Sequence, residues 1–298
     1  MKKKVGFIGL GIMGKPMAKN LLKAEFDLTI FSRSRGPVEE LVKEEALSAN
    51  SPKEVAEQSE VIITMLPDSP EVQEVLLGKD GVIRGIKQGS IVIDMSSINP
   101  QVTQEMAKSF KEKGVEMLDA PVSGGEIGAI QGTLVIMVGG KKEVFDDCME
   151  IFKALGKSIV HVGTIGAGGY VKLVNQIIVA LNIATVGEAF SLGVKAGLDP
   201  QVIYQAIRGG LAGSSVLEGK APMIFGRNFK PGFKIRLHQK DLNNALSTAK
   251  ELGVPLPLTS LVQQFFISLM TDGRGDEDHS ALAAFFEKIA KVEIKSIK

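Results

Sequence analysis

The chain has 298 residues with 35 basic and 34 acidic side chains, and a net charge of +1 gathers neither nucleic acid nor an acidic membrane as a main partner. Its 44% hydrophobic content suits an ordinary globular protein of one large or two medium domains. Cys148 is the only cysteine, which excludes an internal disulfide and a thiolate metal cluster.

Residues 1–4 and the apolar run 5–10 superficially resemble a secretion signal. That run is short and glycine-interrupted, with no small-residue cleavage site after it, so a cytoplasmic protein is expected. The apolar stretch 177–183 contains Asn182 and is too short to span a bilayer. No short repeat or low-complexity segment occurs.

In chain order, strands are predicted at 4–9, 27–31, 61–65, 91–94, 115–120, 133–138 and 158–161, with helices at 13–24, 37–45, 52–58, 71–76, 100–113 and 141–154 between them. This alternation predicts an α/β Rossmann-type domain, a doubly wound, mostly parallel sheet, over 1–163. The rhythm then changes to helix alone, at 165–196, 200–208, 215–224, 240–252, 257–272 and 280–292, so an all-α substrate and dimerisation domain is expected over 164–298. The long helix 165–196 is apolar nearly all round, which predicts a helix buried on every side, central to its domain or in a dimer interface.

Val5–Ile8 runs into Gly9-Leu10-Gly11-Ile12-Met13-Gly14 and then a helix, which is the G-x-G-x-x-G dinucleotide loop in its required setting. Gly9 permits the turn, Gly11 admits a pyrophosphate and Gly14 lets helix and strand pack closely, with the phosphates on the helix N-terminus near Ile12. The second strand ends in Phe31-Ser32-Arg33-Ser34-Arg35, with no acid for the ribose hydroxyls. Arg33, with Arg35 as a second candidate, suits a 2′-phosphate, so NADP is the favoured cofactor and NAD the alternative; a plain solvated loop is the competing reading. Met65-Leu66-Pro67 should pass beneath the nicotinamide ribose, and Ser97 sits where it can hydrogen-bond the cofactor.

Lys172 is the one cation inside the apolar helix ahead of Lys195 in its last turn, and Asn175 follows one turn on. A helical lysine ordinarily snorkels to solvent. Here the preceding Gly166-Ala167-Gly168-Gly169 admits another backbone or a ligand, which favours a functional lysine that protonates a developing alkoxide, with Asn175 holding the lysine or the substrate hydroxyl. Ser123-Gly124-Gly125 offers a hydroxyl and backbone N–H groups to a carboxylate; a plain glycine turn is the alternative. Arg208, Arg227 and Arg236 read mainly as surface ion pairs. His161, His238 and His279 are scattered without ligand spacing, so no metal is expected.

These residues resemble the β-hydroxyacid dehydrogenase family over essentially the whole chain. Phe7–Leu21 is similar to its opening signature, Asp119–Gly125 to its substrate motif, Gly166–Gly168 with Lys172 and Asn175 to its catalytic motif, and Lys240-Asp241-Leu242 to its late cofactor-site motif. The resemblance implies an NAD(P)-dependent oxidoreductase acting on a CH–OH group, with Lys240 at the cofactor and at least a dimer, dimer or tetramer. Asp241 is read equally as an N-cap for the helix after it. Residues 208–214, 227–233 and 278–282 resemble the branch that reduces tartronate semialdehyde to D-glycerate, with 3-hydroxyisobutyrate, succinic semialdehyde and glyoxylate as sibling substrates. A non-catalytic nucleotide-binding scaffold is the remaining alternative. Gln176 departs from the family, which often has Asn there.

Overall fold

Val5-Gly6-Phe7-Ile8 is buried at every position as strand β1 (Val5–Ile8) in the computed structural model, which describes residues 2–296. After it come α1 (Gly14–Lys23), β2 (Leu28–Phe31), α2 (Arg35–Val42), β3 (Leu47–Ser48), α3 (Pro52–Gln58), β4 (Val61–Thr64) and α4 (Ser69–Leu77). Next are β5 (Ile91–Asp94), α5 (Pro100–Lys111), β6 (Glu116–Asp119), β7 (Val122–Ser123), α6 (Gly125–Gln131), β8 (Leu134–Gly139), α7 (Lys142–Asp147), α8 (Met149–Leu155) and β9 (Gly156–Gly163). The remainder is helical: α9 (Ala167–Lys195), α10 (Pro200–Ile207), α11 (Ser215–Phe225), α12 (Ile235–Leu252), α13 (Pro257–Thr271) and α14 (Ala283–Ala290).

The chain divides into two compact units, Met1–Lys172 and Leu173–Lys298, and the division falls within α9. In the first unit the sheet order is β3-β2-β1-β4-β5-β6-β8-β7, with β9 on β8. The strands from β3 to β6 in this order pair in parallel, giving the doubly wound arrangement, while β8 runs antiparallel to β6 and β7 and β9 runs parallel to β8. The strands are apolar at consecutive positions because both faces are covered. Ile62 and Val92 pack into one core, while Ile63 and Ile93, each one residue on, pack into the core on the opposite face.

In the second unit Ala180, Ile183 and Ala184 of α9 pack with Leu242 of α12 and Phe266 of α13. Val186 and Phe190 pack with Tyr204, Leu217 and Ile224. Among the described residues this unit holds no strand, only the isolated bridge between Lys234 and Asp278.

Several expectations need correction. The helix expected over 141–154 breaks at Cys148 (φ −100°, ψ 5°), a turn that seats Cys148, Phe145 and Phe152 together in the core. α6 and the short strands β3 and β7 carry too little periodic pattern to be read beforehand. α12 begins at Ile235 rather than 240, because the N–H groups of Ile235 and Arg236 donate to the carbonyls of Glu277 and Gly275, partners far along the chain. α9 is not buried on every side within one chain, since Val174, Ile178 and Leu192 are exposed. Taken whole, unlike 177–183 alone, α9 is long and apolar enough to cross a membrane, with a mean hydropathy of 1.8; a core helix of a helical domain meets the same test.

Candidate active site

Parallel register places the strand ends side by side. Ile8 pairs with both Phe31 and Thr64, Thr64 with Asp94, and Asp94 with Asp119. The glycine loop, Ser32 and Arg33, Met65-Leu66-Pro67, Ser97 and the Asp119 segment therefore leave the sheet along one edge, where ligands of such sheets bind.

The loop's geometry assigns the glycines. Gly9 has φ +101°, and a Cβ there would lie 2.4 Å from the Met65 carbonyl oxygen. A Cβ on Gly14 would lie 1.8 Å from the Gly9 oxygen, so close helix–strand packing requires its absence. A Cβ on Gly11 would meet nothing within 4 Å, so this backbone faces open space, as one that receives a ligand must. α1 begins at Gly14, one residue later than expected, and no side chain caps its first turn. The Lys15 N–H donates to the Gly11 carbonyl and Pro16 has no N–H, so an anion is met by the loop and the very start of α1 and not by a full turn of donors. A cleft of about 560 Å³ runs from Gly11 and Ile12 along α1 past Lys19 to Lys23, with Glu126 and Ile130 of α6 also lining it, and touches the loop at one end. The glycine loop itself fits a dinucleotide. Arg33 is exposed beyond β2 and Ser32 half-buried, so the guanidinium is accessible to a phosphate.

Ser123 ends β7, and Gly124 (φ +137°) and Gly125 (φ +62°) turn the chain into α6. Both glycines hold a left-handed backbone that other residues adopt only with strain, and Gly125 faces open space.

Lys172 lies in the second turn of α9 and is only 7% exposed. What positions it is Asp119, at the end of β6. The Asp119 carboxylate accepts from the backbone N–H groups of Gly166 and Gly169, each at 2.7 Å, and so caps α9 from a position 47 residues before the first of these donors. A Cβ on Gly168 would lie 2.3 Å from the Met137 carbonyl oxygen, and one on Gly169 would lie 3.1 Å from the Pro100 ring. The glycine run thus admits strand ends and α5, not a ligand.

Asn175 Nδ2 donates to Gln176 Oε1 at 2.7 Å, and Gln176 Nε2 donates to Asp241 Oδ2 at 2.5 Å. Lys240 Nζ lies 2.8 Å from Asp241 Oδ1. Asp241 is therefore a buried acceptor in mid-helix and not an N-cap.

A family model described as the NAD binding domain of 6-phosphogluconate dehydrogenase matches residues 4–163. A second, described as the NAD-binding domain of NADP-dependent 3-hydroxyisobutyrate dehydrogenase, matches 166–286. The 2-hydroxy-3-oxopropionate reductase of Escherichia coli is 48% identical over 288 residues, which cover 96% of this chain and 98% of that protein. The chain belongs to the β-hydroxyacid dehydrogenase family. The 2-(hydroxymethyl)glutarate dehydrogenase of Eubacterium barkeri is 41% identical, covering 98% of this chain and 97% of that one. The crystal structure of a 3-hydroxyisobutyrate dehydrogenase from Salmonella typhimurium superposes with a TM-score of 0.88 at 31% identity, covering 96% of this chain and 100% of that one.

This β-hydroxyacid dehydrogenase is accordingly an NAD(P)-dependent oxidoreductase acting on small hydroxy acids. The capping role of Asp119 was not legible in its sequence, because an acceptor 47 residues from its donors leaves no local pattern. The histidines are also less scattered than they look. His238 Nε2 donates to the Gln176 carbonyl at 3.1 Å, which leaves its Nδ1 to accept from His279 Nδ1 at 2.9 Å. Among the described residues no cluster of three or more metal-binding side chains forms. Arg208 pairs with Glu218, Arg227 with Glu287 and Arg236 with Asp276, as surface or half-buried ion pairs.

Burial pushes the Asp119 carboxyl up from 3.8 to about 7, outweighing the two N–H donors that favour its ionised form. The folded protein then binds more protons than the unfolded chain between those values. Asp119's contribution to stability is greatest below 3.8 and declines as the pH rises through about 7. The urea midpoint of the wild type should therefore fall from pH 5 to pH 8 more steeply than that of Asp119→Asn. Equal slopes would assign the titration to another group.

Proposed function

We propose that this enzyme reduces tartronate semialdehyde (2-hydroxy-3-oxopropanoate) to D-glycerate, with NADPH preferred over NADH. The substrate reading rests on the full-length 48% identity to the E. coli reductase. The observation that carries the chemistry is Lys172, buried one turn into a helix whose start is clamped by Asp119. When bound, the nicotinamide supplies hydride to the aldehyde carbon. Lys172 stabilises the charge that develops on the aldehyde oxygen and donates its proton, and in the reverse direction takes the proton back. Asn175 holds the substrate hydroxyl. Ser123 with the N–H groups of Gly124 and Gly125 receives the carboxylate.

Gly9, Leu10, Gly11, Ile12, Met13 and Gly14 cradle the pyrophosphate, Ser32 and Arg33 the adenosine ribose phosphate, Met65, Leu66, Pro67 and Ser97 the nicotinamide side, and Lys240 the cofactor from the helical portion. We read the working division as a dinucleotide-binding domain over 1–163 and a substrate and dimerisation domain over 164–298. The exposed Val174, Ile178 and Leu192 of α9 support a homo-oligomer, and the single, buried Cys148 suits a cytoplasmic protein.

Initial rates with NADPH and NADH against tartronate semialdehyde, succinic semialdehyde, glyoxylate and the oxidation of 3-hydroxyisobutyrate test the reading. Tartronate semialdehyde with NADPH should give the highest kcat/KM; absence of turnover with that aldehyde overturns the substrate. Arg33→Ala should raise the KM for NADPH about 10- to 100-fold, the worth of a lost charge-assisted hydrogen bond, and leave that for NADH nearly unchanged. Equal effects on both cofactors would remove Arg33 from the phosphate site.

A further inference from the structure

We infer that Gln176 is a positioning residue that dictates which way the Asn175 amide faces, an inference resting on Asn175's place at the reacting centre. A carboxylate can only accept hydrogen bonds, so Asp241 obliges Gln176 to turn its NH₂ group toward α12. The carbonyl of Gln176 then faces Asn175, and Asn175 must in turn present its own NH₂. The Oδ1 of Asn175 is thereby directed away from this chain of bonds, as the acceptor a substrate hydroxyl needs. Lys240 Nζ, 2.8 Å from the other Asp241 oxygen, pairs with the carboxylate on its far side and leaves Oδ2 to Gln176.

Gln176 is itself locked in place. It is only 4% exposed, and its backbone carbonyl accepts from His238 Nε2, which in turn is backed by His279. An isolated asparagine amide has two nearly isoenergetic orientations, one of which would point its NH₂ where the acceptor is required; the relay removes that choice before substrate arrives.

The test compares Gln176→Leu and Gln176→Glu in the intact enzyme with NADPH and tartronate semialdehyde. Leucine keeps the bulk and abolishes the relay, so kcat should fall on the order of 10- to 100-fold, as misorientation at a reacting centre does, with the KM for NADPH within about twofold of wild type. Glutamate discriminates positioning from mere structure. Protonated, its carboxyl donates to Asp241 and accepts from Asn175 as Gln176 does; ionised, it opposes Asp241 with like charge and leaves the relay without a donor. The titratable groups near this position are Asp241, with Lys240 on its other oxygen, His238 on the Gln176 carbonyl with His279 behind it, and Lys172 one turn earlier on α9. Its kcat relative to wild type should therefore rise as the pH falls.

Wild-type kcat in Gln176→Leu, or a Gln176→Glu profile parallel to wild type, overturns the inference. Lys172→Ala measured alongside separates the two readings. If that variant is inactive while Gln176→Leu is unimpaired, the relay fails and the catalytic assignment stands. If Lys172→Ala turns over normally, the catalytic assignment itself fails.

Discussion

Lys172→Ala is expected to lower kcat by about 10²- to 10⁴-fold, the usual contribution of a positioned proton donor. Binding of NADPH should change little, because the glycine loop, Arg33 and the strand ends belong to other elements. Lys172→Arg sharpens the test. It keeps the positive charge but does not give up a proton near neutral pH, so it should restore the electrostatic part of the effect without the proton transfer. The chain has no tryptophan, so cofactor binding is followed by the emission of the reduced nicotinamide itself. A kcat within threefold of wild type for both variants would remove Lys172 from the chemistry.

Asp278→Ala should be among the most destabilising single changes in the helical unit, at about 3–5 kcal/mol. Asp278 is fully buried and accepts from Lys220 at 2.9 and 3.2 Å and from the backbone N–H groups of Gly232, Phe233 and Ser280. Removing it leaves a largely buried ammonium and three N–H groups without their acceptor. Burial pushes this carboxyl up, but the combined attraction of His279 and Lys220 with its hydrogen bonds holds it down at about 2. The stabilisation is therefore present above the ordinary 3.8 and is lost as the pH falls toward 2. Urea unfolding near neutral pH should show the full loss, and acidification should narrow the gap between variant and wild type. A loss below 1 kcal/mol would mean that the loop 230–234 finds other partners.

The nucleotide half was largely readable because its signals are local. Gly9, Gly11 and Gly14 sit within one turn, and the Val- and Ile-rich strands announce a sheet covered on both faces. Ser123-Gly124-Gly125 was legible as a loop, since only glycine holds those positive φ values without strain. The beginning of α12 was not, because its first N–H groups are satisfied by the carbonyls of Glu277 and Gly275. Nor was the break at Cys148, where a core position outweighs a continuous helical pattern.

Sequence alone determined the α/β-then-helical order of this β-hydroxyacid dehydrogenase, its glycine loop and the pairing of Lys172 with Asn175 on one helix, since each depends on spacing within a few residues. Only the tertiary structure decided what holds those side chains. Asp119 reaches the start of α9 across 47 residues, Asp241 orients Gln176 across 65, and His238 meets His279 across 41. A hydrogen bond needs its partners within about 3 Å in space whatever their separation along the chain. Local periodicity carries the elements, and folding alone brings the acceptors to their donors.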